Sequence, residues 1–169
     1  AAGLKQTDAK YGVGTCHFSD GRQYQGEWLD GMQNGTGCTI TPLKDFEDDG
    51  SMAAKRSGSG PARMHEGGYR SGKADGAGVE INSLTGSRYT GQFVTGKRSG
   101  SGHLEFTDGS EYVGQFSEGQ QTGVGTFTFK PNFGAGGDSS ESVAEKFEGQ
   151  FYKGSFQGFG RYFYANGDV

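Results

Sequence analysis

Tyr89-Thr90-Gly91-Gln92-Phe93-Val94-Thr95-Gly96-Lys97-Arg98-Ser99-Gly100-Ser101-Gly102, followed by Leu104, Phe106 and Gly109, is the stretch that decides the fold. At Tyr112 it begins again: Tyr112-Val113-Gly114-Gln115-Phe116-Ser117-Glu118-Gly119-Gln120-Gln121-Thr122-Gly123-Val124-Gly125, then Phe127 and Phe129. From Tyr89 to Tyr112 the step is 23 residues. Counted from the leading Tyr, glycines fall at +2, +7, +11 and +13, an aromatic at +4, and large side chains at +15 and +17. A fixed period of this size means an array of small units rather than one globular core.

The same grid organises the rest of the 169 residues. A partial unit occupies 11–21, with Gly12, Gly14, Cys16, Phe18 and Gly21 in phase. Full units follow over 24–40, 65–86, 89–109, 112–129 and 147–167. The first is headed by Tyr24, Gly26 and Trp28, and the last by Phe147, Gly149 and Phe151. In the second, His65 takes the leading place and Tyr69 stands at +4. Insertions of about 41–64 and 130–146 interrupt the series, and both termini fall inside the repeat.

Composition narrows what such an array can be. With 34 glycines and 31% hydrophobic residues an ordinary aliphatic core is out of reach, yet 13% aromatics in step with the glycines argue for order. In Tyr-x-Gly-x-aromatic the three marked residues share one face of a strand. The missing side chain at +2 leaves a slot beside two rings, the usual meaning of a glycine inside a strand. The glycine at +7 and the pair at +11 and +13 are expected to bracket a tight connection, so each unit reads as one β-hairpin. A lone hairpin is marginal in water, and stacking against neighbours is what buries the rings. The expected fold is all-β: an elongated, twisted, single-layer antiparallel meander of about 11 strands, roughly 50 Å long at ~4.8 Å per strand. Its open edges would call for cover by another chain or further units.

This pattern, Tyr-x-Gly-x-Trp/Phe-x-x-Gly-x-x-x-Gly-x-Gly on a 23-residue period, resembles the MORN repeat (membrane occupation and recognition nexus). The residues that carry the resemblance are Tyr24, Gly26, Trp28, Tyr69, Tyr89, Gly91, Phe93, Tyr112, Gly114, Phe116, Phe147, Gly149 and Phe151. Departures cluster early: His65 at the head of unit two, and polar Thr39, Thr41, Glu80 and Asn82 at +15 and +17 of the first two units. The resemblance implies a structural scaffold assembling other proteins in a cytoskeleton, with a radial-spoke-like axonemal complex of a cilium or flagellum as the first choice. It also implies two alternatives: a membrane-apposition module binding phosphoinositides, and the regulatory array of a larger lipid kinase or lysine methyltransferase.

The residues themselves offer no active site and no cofactor. Gly91-x-x-x-x-Gly96-Lys97 and Gly67-x-x-x-x-Gly72-Lys73 imitate a phosphate loop, but Arg98 and Ala74 stand where a Mg²⁺-binding hydroxyl belongs. None of the Gly-x-Gly pairs continues to a dinucleotide fingerprint. His17, His65 and His103 are scattered, and the cysteines have no metal-ligand spacing. Cys16 and Cys38 differ in strand parity and are expected on opposite faces, unbridged, as suits a reducing, cytoplasmic setting. Asn34-Gly35-Thr36 is formally a glycosylation acceptor and is read as part of a turn. Net charge of −4 gives no general attraction to nucleic acid or anionic membrane. The sequence has no apolar run of membrane-spanning length and no signal segment at residue 1.

One charge feature stands apart. Arg63, Arg70, Lys73, Arg88, Lys97 and Arg98 face only Glu66, Asp75 and Glu80 in the same interval. Arg70, Lys73, Arg88, Lys97 and Arg98 are the candidate basic face for an acidic partner or lipid headgroups, against the plainer reading of solvated charge on turns. Partners are expected to be other proteins, along the face, the edges or the insertions, with a homo-oligomer open, lipid less favoured and nucleic acid not expected.

Overall fold

The computed structural model describes residues 11–42, 61–130 and 144–169. Among these residues eleven strands form one open sheet in strict chain order, each antiparallel to the next. They are β1 Tyr11–His17, β2 Gln23–Leu29, β3 Met32–Pro42, β4 Pro61–Arg70, β5 Lys73–Asn82, β6 Ser87–Val94, β7 Lys97–Glu105, β8 Glu111–Ser117, β9 Gln120–Thr128, β10 Ala144–Tyr152 and β11 Ser155–Tyr164. No helix occurs among the described residues. The all-β meander expected from the repeat is the fold, and residues 43–60 and 131–143, which hold most of both insertions, lie outside the described residues.

Unit three shows how the grid works. Thr95 and Gly96, with φ of 49° and 86°, make a two-residue turn between Val94 and Lys97. Positive φ at both positions marks the hairpin turn whose twist matches that of the strands. The second strand therefore starts at +8, and the expectation that +11 and +13 close the connection needs correcting. Gly100, at +11, has φ 61° and sits in a bulge: the register steps from Gly91↔Gly102 to Gln92↔Ser99. Asn34-Gly35-Thr36 likewise lies inside β3, not in a turn.

Gly102, at +13, has a different task. It pairs with Gly91 on one side and Gly114 on the other. The same pairing runs through every strand as Gly14, Gly26, Gly37, Gly67, Gly78, Gly91, Gly102, Gly114, Gly125, Gly149 and Gly160. This unbroken row of backbone is the floor on which the leading rings lie. A Cβ at Gly91 would come within 2.6 Å of Tyr89 Cζ and 2.7 Å of Gly102 Cα. The Tyr89 hydroxyl crosses the row and donates to Gln92 O at 3.0 Å, and Tyr24 and Tyr112 do the same to Glu27 O and Gln115 O. Burial, then the charges of Tyr69 and Glu27, push the Tyr24 phenol up to about 12.

Each leading ring meets the +4 ring of its own unit and that of the next, edge to face. Trp28, Tyr24, Tyr69, His65, Phe93, Tyr89, Phe116, Tyr112, Phe151 and Phe147 form one zigzag with centroids 4.5–5.6 Å apart. An aromatic side chain buries about 150–250 Å², about 4–6 kcal/mol gross at ~25 cal/mol/Å². A strand glycine costs only about 0.5–1 kcal/mol relative to Ala. The rings win, but only because adjacent units share them.

A second tie links units along one margin. The amide of each turn glycine donates to a carbonyl of the preceding unit: Gly72 to Gln33 (2.9 Å), Gly96 to Ala74 (2.8 Å), Gly119 to Arg98 (3.0 Å) and Gly154 to Gln121 (3.1 Å). The opposite margin carries the links between units, including Phe18–Gly21 and Phe106–Gly109, each closed by a glycine amide bonded to the aromatic carbonyl.

Candidate binding surface

The ring face is the only face with a continuous buried cluster among the described residues, and it is not uniform. Across it runs a row built from the 0 and +15 positions: Cys16, Tyr24, Thr39, His65, Glu80, Tyr89, Leu104, Tyr112, Phe127, Phe147 and Tyr162. From β7 onward the row is apolar, and Phe106, Phe127 and Phe129 pack against the buried rings. From β3 to β5 it is polar. The structure places Glu80 where other units carry Leu104, Phe127 or Tyr162, with its side chain only 3% exposed.

Glu80 survives burial because two arginines from different units reach it. Arg98 donates to Oε1 at 2.6 and 3.2 Å, after passing over the Tyr89 ring at 5.0 Å. Arg63 donates to Oε2 from Nε at 2.8 Å, with Nη2 also in contact. Burial alone would push the carboxyl up; the hydrogen bonds and charges of Arg98 and Arg63 outweigh it and hold Glu80 below the usual carboxylate range. The cluster keeps one positive charge in excess.

His65 occupies the ring slot of unit two. The Tyr69 hydroxyl donates to Thr39 Oγ1 at 2.6 Å and lies 2.9 Å from His65 Nδ1. In the tautomer that satisfies this contact with the Tyr69 proton on Thr39, Nδ1–H donates to the hydroxyl and Nε2 is an acceptor. Nε2 is buried over the glycine floor, with no hydrogen-bond partner among the described residues. Burial, the largest influence, lowers the His65 pKa and so favours the neutral imidazole. The leading tyrosines are longer and reach a carbonyl from the same slot; the imidazole stops short.

The five candidate basic residues do not form one surface. Arg98 is on the ring face with Glu80, while Arg88 pairs with Glu105 (3.0 Å) beside Tyr89's opposite face. Arg70 pairs with Asp75 (3.4 Å), and Lys97 with Glu118. Lys73 has no ion pair among the described residues and lines a recess of about 220 Å³ with Arg22, Arg63, His65 and Glu80. The Gly67–Lys73 and Gly91–Lys97 spacings each span a strand and its two-residue turn. Cys16 shares the Tyr24 face and Cys38, opposite Gln25, takes the other; both are free. No group of His, Cys, Asp and Glu suited to a metal occurs among the described residues.

The ion cluster was hidden in the sequence. Arg63 sits at −2 of unit two and Arg98 at +9 of unit three, positions with no fixed residue type, and only the register brings both to Glu80. The available signal was the acid at +15, where later units are apolar.

Comparison with known proteins agrees with the geometry. The model of the MORN repeat matches residues 24–42, 65–82, 89–111, 112–132 and 147–169, together more than half of the chain. No curated protein matches. Among solved structures, the SAS-4 (dCPAP) TCP domain in complex with a proline-rich motif of Ana2 (dSTIL) of Drosophila melanogaster is 14% identical, covering 99% of this chain and 88% of that chain. Its TM-score of 0.27 is too low to bear on fold or function. The five family matches open on the same residues that lay their rings across the glycine row, and the chain belongs to the MORN repeat family.

Proposed function

We propose that this chain is a non-catalytic scaffold that docks other proteins into a cytoskeletal assembly, with an axonemal, radial-spoke-like complex as the specific setting. MORN repeats serve as protein-binding or membrane-binding modules. The observation that carries the protein-docking reading is the ring face itself. It is a single layer with large side chains still exposed at its β11 end, Phe156 at 42% and Tyr162 at 37%. A contiguous apolar strip rimmed by polar groups is the usual mark of a docking surface. The projecting cations Arg70, Arg88 and Lys97 are each neutralised by an acid, which weakens the case for an anionic membrane as the main partner.

Localisation tests this directly. The tagged protein is expected to remain with detergent-extracted cytoskeletons or axonemes. Its complete release with the membrane fraction, together with flotation on phosphoinositide vesicles at low salt, would instead establish the membrane reading.

A further inference from the structure

The alternation of side chains reverses in one region of the sheet. At +15 and +17, on the ring face, Thr39, Thr41, Glu80 and Asn82 are polar. At +14 and +16, on the opposite face, Cys38 and Ile40 of β3 and Val79 and Ile81 of β5 are apolar. The strand between them follows suit, with Met64 at the −1 place that Gln23, Arg88, Glu111 and Lys146 fill in the other full units. In the third and fourth units +14 and +16 hold His103, Glu105, Thr126 and Thr128. A backbone slip of one residue would exchange the faces. Here the glycine row and the rings keep their pairing through β3–β5, so only the side chains have changed over.

Register gathers these residues into a patch. Ile40 lies opposite Met64 and Met64 opposite Ile81, one apolar row across three strands. In the adjoining row Cys38 lies opposite Glu66 and Glu66 opposite Val79. Ile40 is 37% exposed, and Glu66 is exposed as well. Glu66 thus stands among neutral side chains and forms no ion pair among the described residues. Arg88, beside Ile81, is engaged by Glu105 at 3.0 Å, and Arg70 and Lys73 stand past Gly68 at the turn.

We propose that this patch receives an amphipathic helix of a partner protein, with apolar residues on Ile40, Met64 and Ile81 and a Lys or Arg paired with Glu66. The proposal rests on the reading of the array as a protein scaffold and gives it a second surface, on the face away from the rings. Charge complementarity selects the cation, because Glu66 is the one charge in the patch and lacks a counter-charge. A carboxylate in the middle of the patch also opposes insertion into a bilayer.

Backbone chemistry selects the helix. Strands β3, β4 and β5 are each paired on both sides, so the sheet face offers an incoming strand no free ladder groups. A helix satisfies its own amides and can lie on such a face. Ile40 and Ile81 are two strand spacings apart, roughly 10 Å. At ~1.5 Å per residue a helix covers that span in about seven residues, so i, i+3 or i+4, and i+7 meet the three apolar side chains.

Selection on the full 169-residue chain from a random library of peptides about four helical turns long tests the site. Enriched peptides are expected to carry apolar residues at i, i+3 or i+4, and i+7, with a Lys or Arg alongside. Their affinity, read by fluorescence anisotropy, is expected to fall about tenfold in Met64→Gln and in Glu66→Lys. Both side chains lie outside the ring cluster, so both variants should melt near the wild type. Replacing the peptide's cation by Glu should restore binding to Glu66→Lys alone. The two free cysteines supply an independent readout, since Cys38 is in the patch and Cys16 is on the ring face. Saturating peptide should slow maleimide labelling of Cys38 and leave Cys16 unchanged. No enrichment, peptides without the cation, equal binding by both variants, or an unprotected Cys38 would each overturn the site. Three other occupants would do so too. Binding to phosphatidylserine vesicles that Met64→Gln abolishes would assign the patch to a membrane. A dimer that Met64→Gln dissociates would assign it to a second copy of the chain. Enrichment only after residues 43–60 are replaced by a Gly-Ser linker would assign it to that segment. Retention of Glu66→Lys on cytoskeletons after any of these failures would leave the scaffold reading intact.

Discussion

Strands β3–β5 and strands β7–β11 use the same backbone and glycine row to display opposite chemistry on one face. In the second region Leu104, Phe106, Phe127 and Phe129 add apolar area to the zigzag of rings. In the first, Thr39, His65 and Glu80 occupy the equivalent row, and a buried carboxylate draws in Arg63 and Arg98. The difference separates what builds the sheet from what decorates it. Rings at 0 and +4 over glycines at +2 and +13 build it, while +15 and +17 are free to change character. A buried ion cluster adds little net stability compared with well-packed apolar side chains, because desolvation offsets its attraction.

The common scaffold is the place to strike hardest. Gly91→Val would drive Tyr89 out of its slot and is expected to cost about 3–5 kcal/mol, comparable to deleting a buried aromatic. Chemical denaturation would register this, and a loss below about 1 kcal/mol would mean that the ring does not need the glycine floor.

Next comes the contrast itself. Glu80→Gln leaves the half-buried Arg98 without its counter-charge, and a loss of about 3 kcal/mol is expected. Glu80→Leu combined with Arg63→Met and Arg98→Met gives the region the character of its neighbour and should recover most of that loss. If the triple variant is no better than Glu80→Gln, the two regions differ in more than side-chain chemistry.

His65→Tyr sharpens the comparison from the other side. It restores the ring that reaches a carbonyl and removes an unpaired buried nitrogen, worth about 1–3 kcal/mol. A rise in melting temperature of a few degrees is expected; a fall would show that Tyr69 depends on the imidazole.

Acid should separate the regions by pH. The folded pKa of His65 is depressed below its ordinary 6.5, so between those values the unfolded chain binds the extra proton and stability falls as pH drops. Glu80 is depressed below 4.5, and its contribution, complete above that value, is lost as pH falls through the folded value. Trp28, the sole tryptophan, packs on Tyr24 of β2, which meets Tyr69 at the border of the polar region. Its fluorescence is expected to respond to acid before amide exchange accelerates in β8–β10. Simultaneous responses would erase the distinction.

The smallest effect belongs to Lys97→Ala, which removes an exposed pair with Glu118 and should change stability by less than about 0.5 kcal/mol.

Most of this architecture was legible because the ring slots demand glycine at fixed offsets. Tyr89, Gly91 and Phe93 point to a strand and a slot without any coordinates. What could not be read was anything that depends on register. Gly100 looks like a turn glycine on spacing alone, yet it relieves a bulge, because Thr95 and Gly96 already close the hairpin. Arg98 looked like one of five surface cations; only the path of β7 across Tyr89 makes it the partner of Glu80. A one-dimensional period fixes which residues share a face, but not which side chains are long enough to meet across two strands.

The turn-glycine amides also govern how such a chain can lengthen. On the margin where Gly72, Gly96, Gly119 and Gly154 are bound, each tip is at once the end of one hairpin and a clamp on the last. An extra residue there would break both. On the other margin the polypeptide merely passes from one hairpin to the next, and both additions to the period, between Pro42 and Pro61 and between Thr128 and Ala144, fall on that side. One border of the molecule is thus closed to evolutionary insertion, while the other accepts new segments without disturbing a single ring.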